Sequence, residues 1–177
     1  MLRWIRAGVF TAIVWGAAGA SALRQSEPEA GELDEEVRDA LDAAYDDWGI
    51  AAIEPSRAAC LAGGTPAAVA RGDFNNDGRP DAALAITAQN TVRLVVVIER
   101  VDEGTVIEVD TLGQGVADGY LRVEPRGSPY ADARGFEDYF SSDTLAVHRC
   151  GQPPTIYLWS GLDFRKQPLP GVPQHPR

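Results

Sequence analysis

The stretch 81–98, DAALAITAQNTVRLVVVI, places two apolar runs on either side of Gln89-Asn90. Both runs are rich in Ala, Val, Ile and Leu, and the Gln-Asn pair favours a tight turn, so the sequence reads as two antiparallel strands, near 82–88 and 91–101. Apolar residues fall on both faces of each run (Ala83, Leu84, Ala85, Ile86; Leu94, Val95, Val96, Val97, Ile98). That pattern suits central strands covered on both sides. Working outward, similar short runs lie near 67–71, 104–112, 119–124, 144–150, 154–159 and 163–167, separated by Gly, Pro, Asn and Asp. Glu103-Gly104 and Ser160-Gly161 are further turns between antiparallel neighbours, and 126–143 is a longer connection.

Before these runs the period changes. Leu33, Val37, Ala40, Leu41, Ala44, Tyr45 and Trp48 form one helical stripe, and Gly49 is placed to end it. One helix followed by many short strands gives an α+β expectation, with an N-terminal amphipathic helix over 33–48 packed on a bent antiparallel sheet. The helix is also where the charge lies. From Glu27 to Asp47 there are ten acids and one base, Arg38, out of a formal net charge of −10 for the 177 residues. A surface of that sign repels phosphate backbones, so nucleic-acid binding is not expected.

Arg3 and Arg6 precede an apolar run, Ala7 to Ala20, that ends in Ala20-Ser21-Ala22. Residues 1–22 read as a secretory signal peptide, and the run falls short of the ~20 residues a spanning helix needs, so no stable membrane span is expected after cleavage. The other reading is an uncleaved anchor. Residues 23–31 are a polar tether, 32–168 a single domain, and 169–177 a Pro-rich, disordered tail. Export to the periplasm or beyond the cell gives Cys60 and Cys150 an oxidising compartment, so one disulfide between them is expected, against two buried thiols.

The segment GDFNNDGRPD, Gly72 to Asp81, carries oxygen-bearing side chains at Asp73, Asn75, Asp77 and Asp81, with Gly78 just after the third. A hard cation such as calcium takes six to eight oxygens, and alternate residues of a tight loop can aim theirs inward while Gly78 makes the sharp turn. Arg79 would add its backbone carbonyl. An EF-hand would need a Glu where Leu84 stands, and the flanks read as strands, so the loop joins strands. The alternative is an Asx-rich turn that needs no metal.

Gly72 to Ile86, GDFNNDGRPDAALAI, resembles the calcium loop of FG-GAP and VCBS repeats. The resemblance implies Asp73, Asn75, Asp77, the Arg79 carbonyl and Asp81 as calcium ligands, with Phe74 packed inward. No second Asp-x-Asn-x-Asp-Gly occurs in the chain, so a full propeller, which needs several blades, is not expected. The wider layout is similar to small exported bacterial proteins with a single such repeat.

Two function classes follow. The first is an exported, calcium-stabilised, non-enzymatic domain that binds a basic protein or envelope partner through the acidic helix 33–48 or the aromatic connection 130–140, with Tyr130, Tyr139 and Phe140. The second is a small secreted hydrolase using His148 or a carboxylate pair. His175 lies in the tail, and no nucleophile elbow accompanies Ser141, Ser142 and Asp143.

Overall fold

A computed structural model describes residues 33–54, 67–99, 104–131 and 135–169. The expected leader 1–22, the tether 23–31, Cys60 and the tail beyond Leu169 lie outside the described residues. Among the described residues there are one helix, α1 (Glu35–Ala44), and eleven strands. These are β1 (Trp48–Ile50), β2 (Val69–Gly72), β3 (Asp81–Ala88), β4 (Thr91–Ile98), β5 (Thr105–Gln114), β6 (Tyr120–Glu124), β7 (Pro129–Ala131), β8 (Glu137–Tyr139), β9 (Thr144–His148), β10 (Thr155–Trp159) and β11 (Phe164–Pro168). No helix among them is long and apolar enough to cross a membrane.

The strands form three antiparallel sheets. In the first, β1 and β2 both pair with β3, followed by β4 and β5; the second runs β11-β10-β9-β6; the third is the β7–β8 hairpin. Gln89 and Asn90, at φ 51° and 61°, make the left-handed turn between β3 and β4. Alternation then sorts the two central strands. Ala83, Ala85, Val92, Leu94, Val96 and Ile98 face the main core, where Leu121, Leu145, Val147 and Tyr157 of the second sheet meet them. Ala82, Leu84, Ile86, Val95 and Val97 face the other way, onto Leu33, Val37 and Leu41 of the helical segment. Both faces are covered, which is why both carry apolar side chains.

Hydrogen bonds tie the first sheet to the second on two of its sides. On one side Leu121 N–H donates to the Ala67 carbonyl (2.8 Å), and Ala85 N–H to that of Ala68 (2.7 Å). On the other, Tyr157 Oη and Lys166 Nζ both donate to Asp110 Oδ2 at 2.6 Å. Burial works to raise the Asp110 carboxyl, but these two bonds, the Thr111 amide and the Lys166 charge together hold it below its ordinary value. The same burial, together with Asp110, pushes the Tyr157 phenol up. Two bulges, between Val92 and Arg93 and between Leu94 and Val95, interrupt the β4–β5 register. Behind the second sheet, Phe140, Ala146, Ile156 and Leu169 form a smaller cluster, with Tyr130 stacked on Phe140 at 4.5 Å.

The α+β expectation, with its helix on one bent sheet, is overturned: the chain is mainly β, in several antiparallel sheets, and its helix is one short element. The helix expected over 33–48 covers only ten residues. Tyr45 is already extended (φ −138°, ψ 123°) as its N–H closes the last turn on the Leu41 carbonyl. Asp46 and Asp47 sit where the negative end of the helix dipole opposes further acids. Beyond them β3 offers the Ile86–Ala88 edge that β2 leaves open, and Trp48–Ile50 pairs there. Trp48 stays tied to the helix by Nε1 donating to Asp42 Oδ1 (2.8 Å), and its ring packs against the cluster shared by helix and sheet. At the other end, Asp34 makes no side-chain cap and instead pairs with Arg71 at 2.6 Å.

Leu41 is fully buried between helix and sheet, whereas Asp39 is exposed. Urea denaturation of Leu41→Ala should show a loss of about 2–5 kcal/mol. Asp39→Ala should stay within about 0.5 kcal/mol of wild type.

Candidate functional site

The oxygen-rich loop spans 73–80, between the last residue of β2 and the first of β3, which are paired as Gly72 and Asp81. Phe74 anchors it. The ring is buried in the main core, edge-on to Phe164 at 6.4 Å, and this holds the loop down while its polar residues face out. Asn76 (φ 59°) and Gly78 (φ 86°) take the left-handed conformation that folds the loop back on itself.

Asp73, Asn75 and Asp77 come together around one amide. Asp77 N–H lies 2.9 Å from both Asp73 Oδ1 and Asn75 Oδ1. Asp73 Oδ2 accepts Gly78 N–H (3.0 Å), Asp77 Oδ1 accepts Arg79 N–H (2.9 Å), and Asn75 Nδ2 donates to Asp77 Oδ2 (2.9 Å). Asp81 does not join this outward group. It is fully buried, with Phe74 N–H and Asn75 N–H on Oδ2 (2.9 and 3.3 Å) and Glu99 N–H on Oδ1 (3.2 Å). Burial pushes its carboxyl up to about 6, against the pull of the three amides.

Lone pairs test the fit to a cation. Each side-chain oxygen of Asp73, Asn75 and Asp77 accepts one donor and keeps a second lone pair, whereas Asp81 Oδ2 is saturated and only Oδ1 has one left. The donor set is all oxygen, the chemistry a hard cation takes. Among the described residues no group of three or more His, Cys, Asp or Glu side chains is gathered as a metal-holding cluster, the loop's third outward side chain being an asparagine.

Two residues without a place in the sequence motif belong to the site. Asp143 Oδ2 accepts Asp73 N–H (3.1 Å), and Arg126 Nη1 donates to Asn76 Oδ1 (2.9 Å). Their separation along the chain hides them, and the one local hint is Gly72. A Cβ there would come within 3.1 Å of Asp143 Cβ and 3.0 Å of the Phe74 ring.

The candidate catalytic residue is placed elsewhere. His148 lies on the outer face of β9, mostly buried, stacked on Tyr120 at 5.3 Å, with Nε2 3.5 Å from Glu124 Oε1. Its imidazole is the main influence holding the Glu124 carboxyl below its ordinary value. Cys150 follows β9 two residues later, and no cysteine among the described residues is free. A cleft of about 870 Å³ runs between α1 and the start of β5, lined by Glu35, Glu36, Asp39, Ala40, Gly104 and Thr105 among others. Another of about 530 Å³ follows the β10–β11 turn, and His148 lines neither.

No protein-family model matches the chain, and no curated protein or solved structure matches it.

The Glu124 shift has a pH consequence. A carboxyl depressed in the folded state adds stability above its unfolded value of 4.5, and that stability is lost as pH falls through the lower folded value. Urea midpoints followed downward from about pH 6 should therefore drop less steeply below 4.5 in His148→Ala than in wild type.

Proposed function

We propose that this is an exported, calcium-stabilised domain that acts by binding and not by turnover. The observation that carries the reading is the convergence of Asp73, Asn75 and Asp77, with lone pairs to spare, on a loop fixed by a buried Phe74. The likeness of 72–86 to FG-GAP and VCBS calcium loops supports it. Calcium held there would supply positive charge to the Asp73 and Asp77 carboxylates, which share the loop with no cationic side chain among the described residues hydrogen-bonded to either. Asp73, Asn75 and Asp77 would hold it through side-chain oxygens, Asp81 through Oδ1 alone, and Arg79 through its carbonyl. The reading includes removal of the leader 1–22 and pairing of Cys60 with Cys150.

For the partner we favour a basic protein surface on the acidic face of α1. Glu35, Glu36 and Asp39 line one wall of the larger cleft, so a lysine or arginine side chain would meet carboxylates on a concave surface. His148, stacked and lining neither cleft, gives the hydrolase reading no comparable support.

Calorimetry of the mature chain should show one calcium site with affinity around 10⁻⁴–10⁻³ M, the range of extracellular modules. The melting temperature should rise with calcium, by the equivalent of roughly 2.7 kcal/mol at 100 times the dissociation constant. Asp77→Ala should lose both effects. A melting curve that ignores chelator, with no heat of binding, would leave the loop as an Asx-rich turn.

Affinity of a lysine-rich peptide for the domain should fall as salt rises. Replacing Glu35 and Asp39, both exposed on the wall of that cleft, by Lys should weaken it further while the unfolding free energy changes by no more than about 1 kcal/mol. Binding that is indifferent to salt and to both substitutions would remove the helix as the contact surface.

A further inference from the structure

The segment from Arg126 to Asp143 leaves the second sheet after β6 and returns to it just before β9, carrying β7, β8 and Phe140 between. Its base is closed by Gly127 N–H to the Phe140 carbonyl (2.8 Å) and Phe140 N–H to that of Ser128 (3.1 Å). One carboxylate fixes both ends. Asp143, at the return, accepts Arg126 N–H, at the departure, through Oδ1 (3.0 Å). Its other oxygen accepts the amide of Asp73, the first residue of the oxygen-rich loop and 70 positions away in the chain. A second strap runs parallel to the first, from the Arg126 guanidinium to Asn76 Oδ1. The absent side chain of Gly72 leaves the room that Asp143 fills.

From this arrangement we infer that Asp143 is a positioning residue that makes the loop 73–81 and the β7–β8 hairpin one cooperative unit. A carboxylate shared by two backbone amides is a stiff joint, because moving either amide leaves a donor without its acceptor. A displacement of Asp73 is passed to Asp143, and from there to both ends of the hairpin. The hairpin segment carries two large exposed side chains, Phe136 (66%) and Tyr139 (57%). Occupancy of the loop is thereby felt at an aromatic surface on another sheet. The mechanical part of this statement stands on the hydrogen bonds; the part that makes the surface responsive to a cation rests on the calcium reading above.

Hydrogen exchange on the full chain separates the two parts. In metal-free protein, Asp73→Ala alters only the loop, yet exchange at the Gly127 and Phe140 amides should rise by about tenfold or more. Asp143→Ala should raise it at those amides and at Asp77 and Gly78 together. Unchanged hairpin exchange in Asp73→Ala overturns the coupling, whether or not calcium binds. Should Asp143→Ala not fold, Asp143→Asn keeps one carbonyl acceptor and must release one of its two amides, so exchange should accelerate at Asp73 or Arg126; no change at either overturns the joint. With calcium added, and binding established by its heat, hairpin exchange should slow in wild type and not in the Asp143 variants. Bound calcium with no slowing overturns the cation-responsive part. Absence of any binding heat refutes the calcium reading, and with it that part, leaving the mechanical coupling to be decided by the metal-free protein.

Discussion

A carboxylate cut off from solvent has to be surrounded by donors, and Asp81 draws them from two parts of the chain: Phe74 and Asn75 in the loop, and Glu99 just beyond β4. Meeting that demand fixes several things together. The loop must curl back until its second and third amides reach the first residue of β3, and β4 must end where its next amide can turn inward. Phe74 is driven into the core by the same curl, and Asp73, Asn75 and Asp77 are left on the outside. The charge is held at a cost, which is why burial raises this carboxyl toward neutrality. Removing the acid would orphan three amides at the junction on which the first sheet, the loop and the core all depend.

The same junction ties the helix to the sheet. Arg71, one residue before the end of β2, pairs with Asp34 ahead of α1 at 2.6 Å and lies 3.8 Å from Glu99. Burial raises the Glu99 carboxyl, and Glu36 and Asp34 of the helical segment raise it further. The acidic segment is thus not only a solvated face: its field reaches the end of β4, beside the amide that holds Asp81. Arg71 offsets that field and takes from Asp34 the side chain that would otherwise cap the helix.

Legibility in the sequence followed the range of the determining contacts. The β3–β4 hairpin was readable because its pattern is local and complete, with two double-sided apolar runs and a turn pair in the left-handed conformation. The oxygen-rich turn is legible because alternate Asp and Asn residues announce their own fold-back. Trp48 misled because its spacing continues the helical stripe, while its strand pairing depends on an edge of β3 some forty residues further along. β7 and β8 are three residues each and largely exposed, too short to carry a period. Asp143 and Arg126, like the Asp110–Tyr157 bond across the sheets, serve partners that only the folded chain brings near.

The bulges of β5 have a bearing on how the molecule behaves in company. β5 is the outermost strand of its sheet and, at ten residues, one of the longest. A long regular edge is a template on which another chain can add a strand, the first step toward aggregation. In β5, Val109 and Leu112 are the extra residues of the two bulges, so the ladder to β4 skips twice and the strand twists between them. The outward row of amides and carbonyls inherits the same irregular spacing. A strand from a second copy would match only a few residues before losing register, so the irregular edge guards the molecule against self-pairing wherever it is concentrated.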